Sequence, residues 1–196
     1  MQQFIATLVT ALALVASAPA GADLVKFTLD GKAGTDLLPG NENPATTGGT
    51  GGLRPPSFLG PGGIILDTAT NMLRLNLVWG SGYGFTDLTG LASAMHIHGP
   101  TASPAPMSFN EDAGVLIGLT GLPGFDPSPS RGGLVGTVEL TAGQVTSLLE
   151  GRLYINVHTA ANPGGEIRGT IVPEPGTLAL VGGALLVLAV GRRRSR

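Results

Sequence analysis

The chain has 196 residues, a net charge of −2 and only 12% charged residues. It has no cysteine, which excludes disulfides, thiolate catalysis and cysteine zinc sites. Residues 23–172 contain 7 Lys and Arg against 12 Asp and Glu. This acidic balance argues against nucleic acid as a partner, and the length fits one domain of about 150 residues.

The N-terminus has the pattern of an export signal. Residues 4–15 form an apolar run, FIATLVTALALV, which is shorter than the roughly 20 residues that span a bilayer. Small residues follow it, and they include two A-x-A cleavage patterns. We interpret residues 1–22 as a signal peptide cleaved after Ala22. The alternative is a buried helix at the edge of the domain.

The middle of the chain, residues 23–172, predicts short strands separated by glycine- and proline-rich loops. Alternation of apolar and polar residues is clearest over residues 72–79. Thr141 and Gln144 form a capping box for a single helix that ends before Gly151. The predicted strands are 24–30, 63–67, 72–79, 94–98, 115–119, 134–140, 153–158 and 166–172.

This pattern predicts an all-β domain, an antiparallel Greek-key β-sandwich or barrel that resembles superoxide dismutase or an immunoglobulin domain. Apolar residues at alternating positions are expected to face its interior. The expected core residues are Leu75, Leu77, Trp79, Ile97, Val115, Ile117, Val135, Ile155 and Val157.

All three histidines of the chain fall on predicted strands. His96 and His98 share one face of their strand, because residues two apart point the same way. Asn156 and His158 share the polar face of a later strand. If both strands pair with their apolar faces inward, the three imidazoles converge on one outer patch. Three imidazoles suit copper or zinc, with water at an open fourth position.

Two further residues are candidates to orient these rings by hydrogen bonds, Asn156 and Glu166. The alternative is a structural role, in which the histidines bond loop backbone or a carboxylate such as Glu166. Glu166 and Arg168 share a face of the last strand and predict an exposed pair. Solvated positions are expected for the loop carboxylates Asp87, Glu111, Asp112 and Asp126.

Three motifs in this region resemble the CHRD domain. They are residues 94–100 (AMHIHGP), 149–159 (LEGRLYINVHT) and 163–169 (PGGEIRG). The resemblance extends over Phe27–Ile171, and residues 39–44 (PGNENP) approximate the opening segment of the family, a glutamate followed by prolines. The family resemblance implies a β fold in an exported protein without established catalytic activity.

The order of the histidines is also similar to that in copper–zinc superoxide dismutase. His96, His98 and His158 match three copper-ligand positions in order. A bridging histidine, the zinc-loop ligands and the disulfide cysteines have no counterpart here. Dismutase activity is therefore not expected.

The C-terminus predicts a membrane segment. Residues 176–191 are uncharged, and an arginine-rich end follows at 192–196. Arginine clusters favour the cytoplasmic side, so the domain is expected outside the inner membrane. Two prolines, Pro173 and Pro175, interrupt regular structure before this segment, so we expect a stiff, exposed spacer there.

The order of these features resembles the PEP-CTERM sorting tail of Gram-negative bacteria. Pro173, Glu174 and Pro175 match the motif, and an apolar helix and an arginine cluster follow. The resemblance implies processing by an exosortase, a transient inner-membrane anchor, and final location at the cell surface or in an extracellular matrix. The alternative is an ordinary single-span anchor.

Together these features predict a non-enzymatic surface or matrix protein. It would act by binding or adhesion, with an extracellular polysaccharide or a surface protein as partner, in a biofilm-forming bacterium. The alternative is a metal-binding protein, redox-active if the metal is copper, that uses His96, His98 and His158.

Overall fold

The structure, a computed structural model, describes residues 23–57, 62–174 and 176. These residues form one antiparallel sheet that curls into a half-barrel, with one short α-helix. The strands are β1 (Leu24–Asp30), β2 (Gly51–Leu53), β3 (Gly63–Asp67), β4 (Met72–Trp79), β5 (Ala92–His98), β6 (Val115–Gly118), β7 (Phe125–Asp126), β8 (Gly133–Glu139), β9 (Leu153–Thr159) and β10 (Ile167–Pro173), and the helix is α1 (Ala142–Leu149).

The strand order is β6-β5-β9-β10-β1-β3-β4-β8-β7, with β2 paired to β4. Every pair of strands is antiparallel, which confirms the predicted all-β antiparallel class. The hydrogen-bonded ladder runs from β6 to β7 without a break. The described strands therefore form a single curled sheet rather than two separate sheets.

The helix begins and ends as the sequence predicts. The Thr141 hydroxyl accepts a hydrogen bond from the Gln144 amide, and the Gln144 side chain accepts one from the Thr141 amide. Gly151, just past the helix, has a φ of 67°, a left-handed conformation that glycine adopts without steric cost. Leu148 is fully buried and packs α1 against the core.

The inner face of the sheet forms the hydrophobic core. Leu75, Leu77 and Trp79 of β4 are fully buried, as predicted, whereas Arg74, just before Leu75, is exposed. Burial of each such leucine contributes about 1.5–3 kcal/mol to folding. The apolar rows of β5 and β9 are also in the core, as the predicted inward face requires; they are Ile97, Leu153, Ile155 and Val157.

The core prediction is wrong for two residues, because the side chain of Val115 is 58% exposed and that of Val135 is 50% exposed. Residues opposite one another in a ladder share a face, and Val115 lies opposite His98, on the outer face. Val135 follows the buried Leu134, so strand alternation points it outward. Ile117 lies opposite Ile97 and is half-buried at the edge of the core.

The outer face of β9 and β10 is also buried, because two loops cover it. The loop of residues 31–50 bonds to β10 through Leu38 and Arg168, whose backbone groups pair at 3.0 and 3.1 Å. The loop of residues 99–114 is held to Arg152, whose carbonyl accepts from the Thr101 amide at 2.9 Å. Polar side chains on this face therefore lie inside the protein.

Strand β10 continues into the sorting motif. Pro173 is buried and pairs with Phe27 of β1, and the Glu174 amide donates to the Lys26 carbonyl at 3.0 Å. The prediction of an exposed spacer is therefore wrong for Pro173 and Glu174. Pro175 lies outside the described residues.

Three predicted terminal segments also lie largely outside the described residues. These are the signal peptide (1–22), the transmembrane segment (176–191, apart from Gly176) and the basic end (192–196). Within the described part of the chain, no helix has the length and apolar character needed to cross a membrane.

Candidate metal centre

The three histidines lie together on the outer face of two neighbouring strands. In the pairing of β5 with β9, His96 lies opposite Asn156 and Ala94 lies opposite His158. One ring nitrogen from each of His96, His98 and His158 lies within 4.8 Å of the other two. The closest contact joins His96 Nδ1 to His158 Nε2 at 3.0 Å. Ligand atoms of a tetrahedral zinc site lie about 3.3 Å apart, a value between the closest separation in the cluster and its 4.8 Å upper limit.

Backbone carbonyls orient two of the rings. His98 Nδ1 lies 2.9 Å from the Ala113 carbonyl oxygen, and His158 Nδ1 lies 2.9 Å from that of Pro163. A carbonyl oxygen can only accept, so Nδ1 of each neutral ring holds the proton and Nε2 keeps its lone pair. His98 Nε2 is buried without a hydrogen-bond partner among the described residues. Both rings are thus held in the tautomer that binds metal through Nε2.

Burial keeps two of the imidazoles neutral. Desolvation lowers the pKa of His96, and the charges of His158 and His98 lower it further. Desolvation also lowers the pKa of His158; its hydrogen bond to Pro163 opposes this change, and His98 adds to it. Since an ordinary histidine titrates near pH 6.5, both rings are neutral at pH 7. Neutral imidazole is the form that coordinates metal.

Asn156 adds an oxygen atom to the cluster. Its Oδ1 lies 2.9 Å from His158 Nε2, and the residue is 3% exposed. Because the proton of His158 is on Nδ1, the lone pairs of Nε2 and of the amide oxygen face each other. His96 Nδ1 can donate to Nε2 but leaves the oxygen without a donor. A cation among these atoms satisfies all of the lone pairs together.

Two family models match the chain, and the first describes the CHRD domain over residues 34–171. The chain belongs to the CHRD domain family. The second model describes the PEP-CTERM protein-sorting motif over residues 172–194. The search of curated proteins and the search of solved structures returned no match. Both predicted resemblances are confirmed, and the tail implies export and sorting at the bacterial surface or membrane by an exosortase-type system.

The three CHRD motifs meet at the histidine cluster. The first supplies His96 and His98, and the second supplies Asn156 and His158. The third supplies Pro163, whose carbonyl orients the His158 ring. The segments that define the resemblance are therefore brought into contact by the β5–β9 pairing and the turn after β9.

The CHRD domain also contains a buried carboxyl group, Glu42, that the sequence analysis did not single out. Burial raises its pKa to about 7, although the positive charge of Arg168 lowers it. Its Oε1 is buried without a hydrogen-bond partner among the described residues, and the Asn156 side chain lies beside it. The available signal was its place in residues 39–44, the segment that approximates the family's opening glutamate and prolines.

A second group behind the cluster fixes the covering loop. The Tyr154 ring stacks on His98 with a 4.9 Å centroid separation, and the Arg168 guanidinium lies 3.5 Å from the Tyr154 centroid. Arg168 is 1% exposed, and it donates to Asp112 Oδ1 at 2.9 Å and to the Glu111 carbonyl at 2.6 Å. Asp112 is exposed, as predicted, and its charge also balances that of the buried arginine. Strand alternation already placed Tyr154 on the histidine face.

The predicted exposed pair of Glu166 and Arg168 is wrong, because both side chains are buried and have other partners. Glu166 accepts from Thr89, from the Gly49 amide at 2.8 Å and from the Thr159 hydroxyl at 2.6 Å. Burial raises its pKa, but these hydrogen bonds outweigh burial and lower the pKa overall. No histidine is among its partners in the described residues, so the acceptors at the rings are backbone carbonyls instead.

The other predicted loop carboxylates have local roles. Asp87 accepts from the Ser81 amide at 2.6 Å, and Asp126 accepts from the Ser128 amide at 2.9 Å. Glu111 accepts from the Ser103 amide at 3.0 Å. These carboxylates stabilise turns and lie outside the histidine cluster.

Proposed function

We propose that this exported CHRD protein binds one copper or zinc ion through His96, His98 and His158. The observation that supports the proposal is the convergence of three imidazole nitrogens, two of them with Nδ1 already bonded to a backbone carbonyl. Such bonds orient rings in metal sites and raise their basicity as ligands. The role is binding rather than catalysis, with His96 as the partly exposed ligand at which an ion enters.

The choice between the two metals decides the chemistry of the site. Imidazole ligands suit both zinc and copper. Zinc has no redox chemistry of its own, whereas a copper ion exchanges electrons and makes the centre redox-active. Metal analysis of the protein purified after export distinguishes the two.

The test is the metal content of the mature protein and of histidine variants. All three histidines of the chain are in this cluster, so no other imidazole contributes background binding. We expect about one ion per chain in the wild type, and none in the His96→Ala/His158→Ala double variant. Glu139→Gln, which removes an exposed charge on β8, is the control and should bind as the wild type does. Equal metal content in wild type and double variant contradicts the proposal, as does a wild type that binds nothing at micromolar metal.

A second proposal concerns the place outside the cell where the protein acts. The sorting motif at residues 172–194 supports it. We propose a non-enzymatic role in binding or adhesion within an extracellular polysaccharide layer. Deletion of the gene should weaken the biofilm matrix, and the wild-type gene should restore it. An unchanged matrix together with stoichiometric copper would leave metal binding as the function.

A further inference from the structure

Asn156 occupies the position of a fourth ligand. It lies opposite His96 in the β5–β9 ladder, and its Oδ1 lies 2.9 Å from His158 Nε2. This side-chain oxygen is therefore directed at the histidine cluster. Three neutral nitrogens and one amide oxygen make a complete four-coordinate set for a divalent ion.

The orientation of the Asn156 amide follows from the group on its other side. Its Nδ2 lies beside the Glu42 carboxyl, and both groups border the space that a Cβ on Gly165 would occupy. The ionised carboxylate accepts and cannot donate, so in this form it holds the NH₂ end of the amide toward Glu42 and the oxygen toward His158. Gly165 has a φ of 136°, and a Cβ there would collide with the Glu42 oxygen. The glycine is therefore required for this approach.

We propose that Asn156 is the fourth ligand of the metal centre and that Glu42 is its positioning residue, which makes the site prefer a divalent ion to Cu(I). This inference rests on the metal binding proposed above. When Glu42 is ionised, its negative charge attracts a doubly charged ion twice as strongly as a singly charged one. The amide oxygen is also a harder ligand than imidazole and favours the harder divalent ion. Without Glu42, the amide is free to turn its NH₂ group to the metal.

The experiment compares the affinities of the purified mature protein for Zn²⁺ and for Cu(I). Each is measured by competition with a chromogenic chelator, and Cu(I) is kept under anaerobic reducing conditions. We expect Glu42→Gln and Asn156→Ala to weaken Zn²⁺ binding by about 10-fold or more. The same variants should change Cu(I) affinity by less than about threefold. Glu139→Gln removes an equal charge at an exposed position and should leave both affinities unchanged.

The ratio of the two affinities separates a positioning role from general damage. A loosened fold weakens both ions alike, so an equal loss for Zn²⁺ and Cu(I) in Glu42→Gln overturns the inference. Unchanged affinities for both ions in Glu42→Gln overturn it as well. If Glu42→Gln does not fold, Glu42→Asp is measured in its place. It retains the carboxyl group, so its ratio of Zn²⁺ to Cu(I) affinity should stay nearer to that of the wild type.

Failure of the underlying function has a different signature. A wild-type protein that binds neither ion refutes the metal centre itself. A wild-type protein that binds Zn²⁺ while Asn156→Ala binds it equally well refutes only the fourth ligand and its positioning by Glu42.

Discussion

Two halves of the same sheet are built differently. At β4 and β8 the inner face is apolar and the outer face meets solvent, where Arg74 and Val135 are exposed. At β9 and β10 both faces are buried, and the outer face contains Asn156, His158 and Arg168. A strand with a solvated face needs no partners for its polar side chains, whereas buried polar groups must find them. The difference shows that the covering loops, rather than the strands, create the candidate site.

The largest expected change in stability comes from the inner face of β9, in the half of the sheet that is buried on both faces. Ile155 is fully buried, so Ile155→Ala should lower the free energy of unfolding by about 2–5 kcal/mol, through lost apolar burial and a cavity. Chemical denaturation measures it. The loss should be the same in chelator and in metal, and a loss that metal abolishes would show that the two faces are energetically coupled.

The stability of the protein should respond to metal through the outer face of this half of the sheet, where β5 and β9 meet. At a free zinc concentration 100 times the dissociation constant, the wild type should gain about 2.7 kcal/mol, and His96→Ala should gain none. Protons compete with metal for imidazole, and the pKa values of His96 and His158 are lowered. The gain should therefore persist below pH 6.5, where an ordinary histidine is half protonated, and disappear in more acidic buffer. Melting curves from pH 4.5 to 7.5 test this, and a gain that disappears above pH 6.5 contradicts the lowered pKa values.

In the metal-free protein, the contribution of Glu42 to stability should fall as pH rises, whereas the gain from zinc is lost as pH falls. Its pKa is raised by burial from 4.5 to about 7, so the folded state binds the proton more tightly. Its contribution is fully present below pH 4.5 and is lost as pH rises through 7. In chelator, Glu42→Gln should therefore become more stable relative to the wild type between pH 4.5 and 7, with no further change above. A difference that is constant with pH would place the carboxyl in solvent.

The smallest effect is expected on the open half of the sheet. Val135 is 50% exposed on the outer face of β8. Val135→Thr keeps the β-branched shape and should change stability by no more than about 0.5 kcal/mol. Thermal unfolding with and without metal measures it. A loss of several kcal/mol would show that this face is covered as well.

The inner half of the structure could be predicted from alternation alone, and the outer half could not. Leu75, Leu77 and Ile97 followed from period-two patterning. The same patterning placed the histidines on one face, but it gave no sign that loops cover that face. Contacts such as Arg168 with Asp112, 56 residues apart in the chain, depend on how loops pack. The periodicity of a single sequence does not report how its loops pack.

Register accounts for the remaining errors. Val115 and Val135 were assigned to the core as apolar residues at alternating positions, yet their faces depend on which residue lies opposite. A shift of one residue moves a side chain to the other face of the sheet. Glu166 was assigned to the imidazoles by proximity in sequence, but its carboxylate turns to Thr89 and Thr159 instead.

The junction between β10 and the tail has a mechanical consequence. The tail leaves from the end of a strand that lies between β1 and β9, and Pro173 is already paired with Phe27. A pull along the tail therefore acts parallel to β10 and loads its hydrogen bonds to both neighbours at once, in shear, instead of peeling an edge strand one bond at a time. Single molecules stretched between Lys32, just past the far end of β1, and residue 174 should unfold in one high-force step, and gradual low-force unzipping would contradict this geometry.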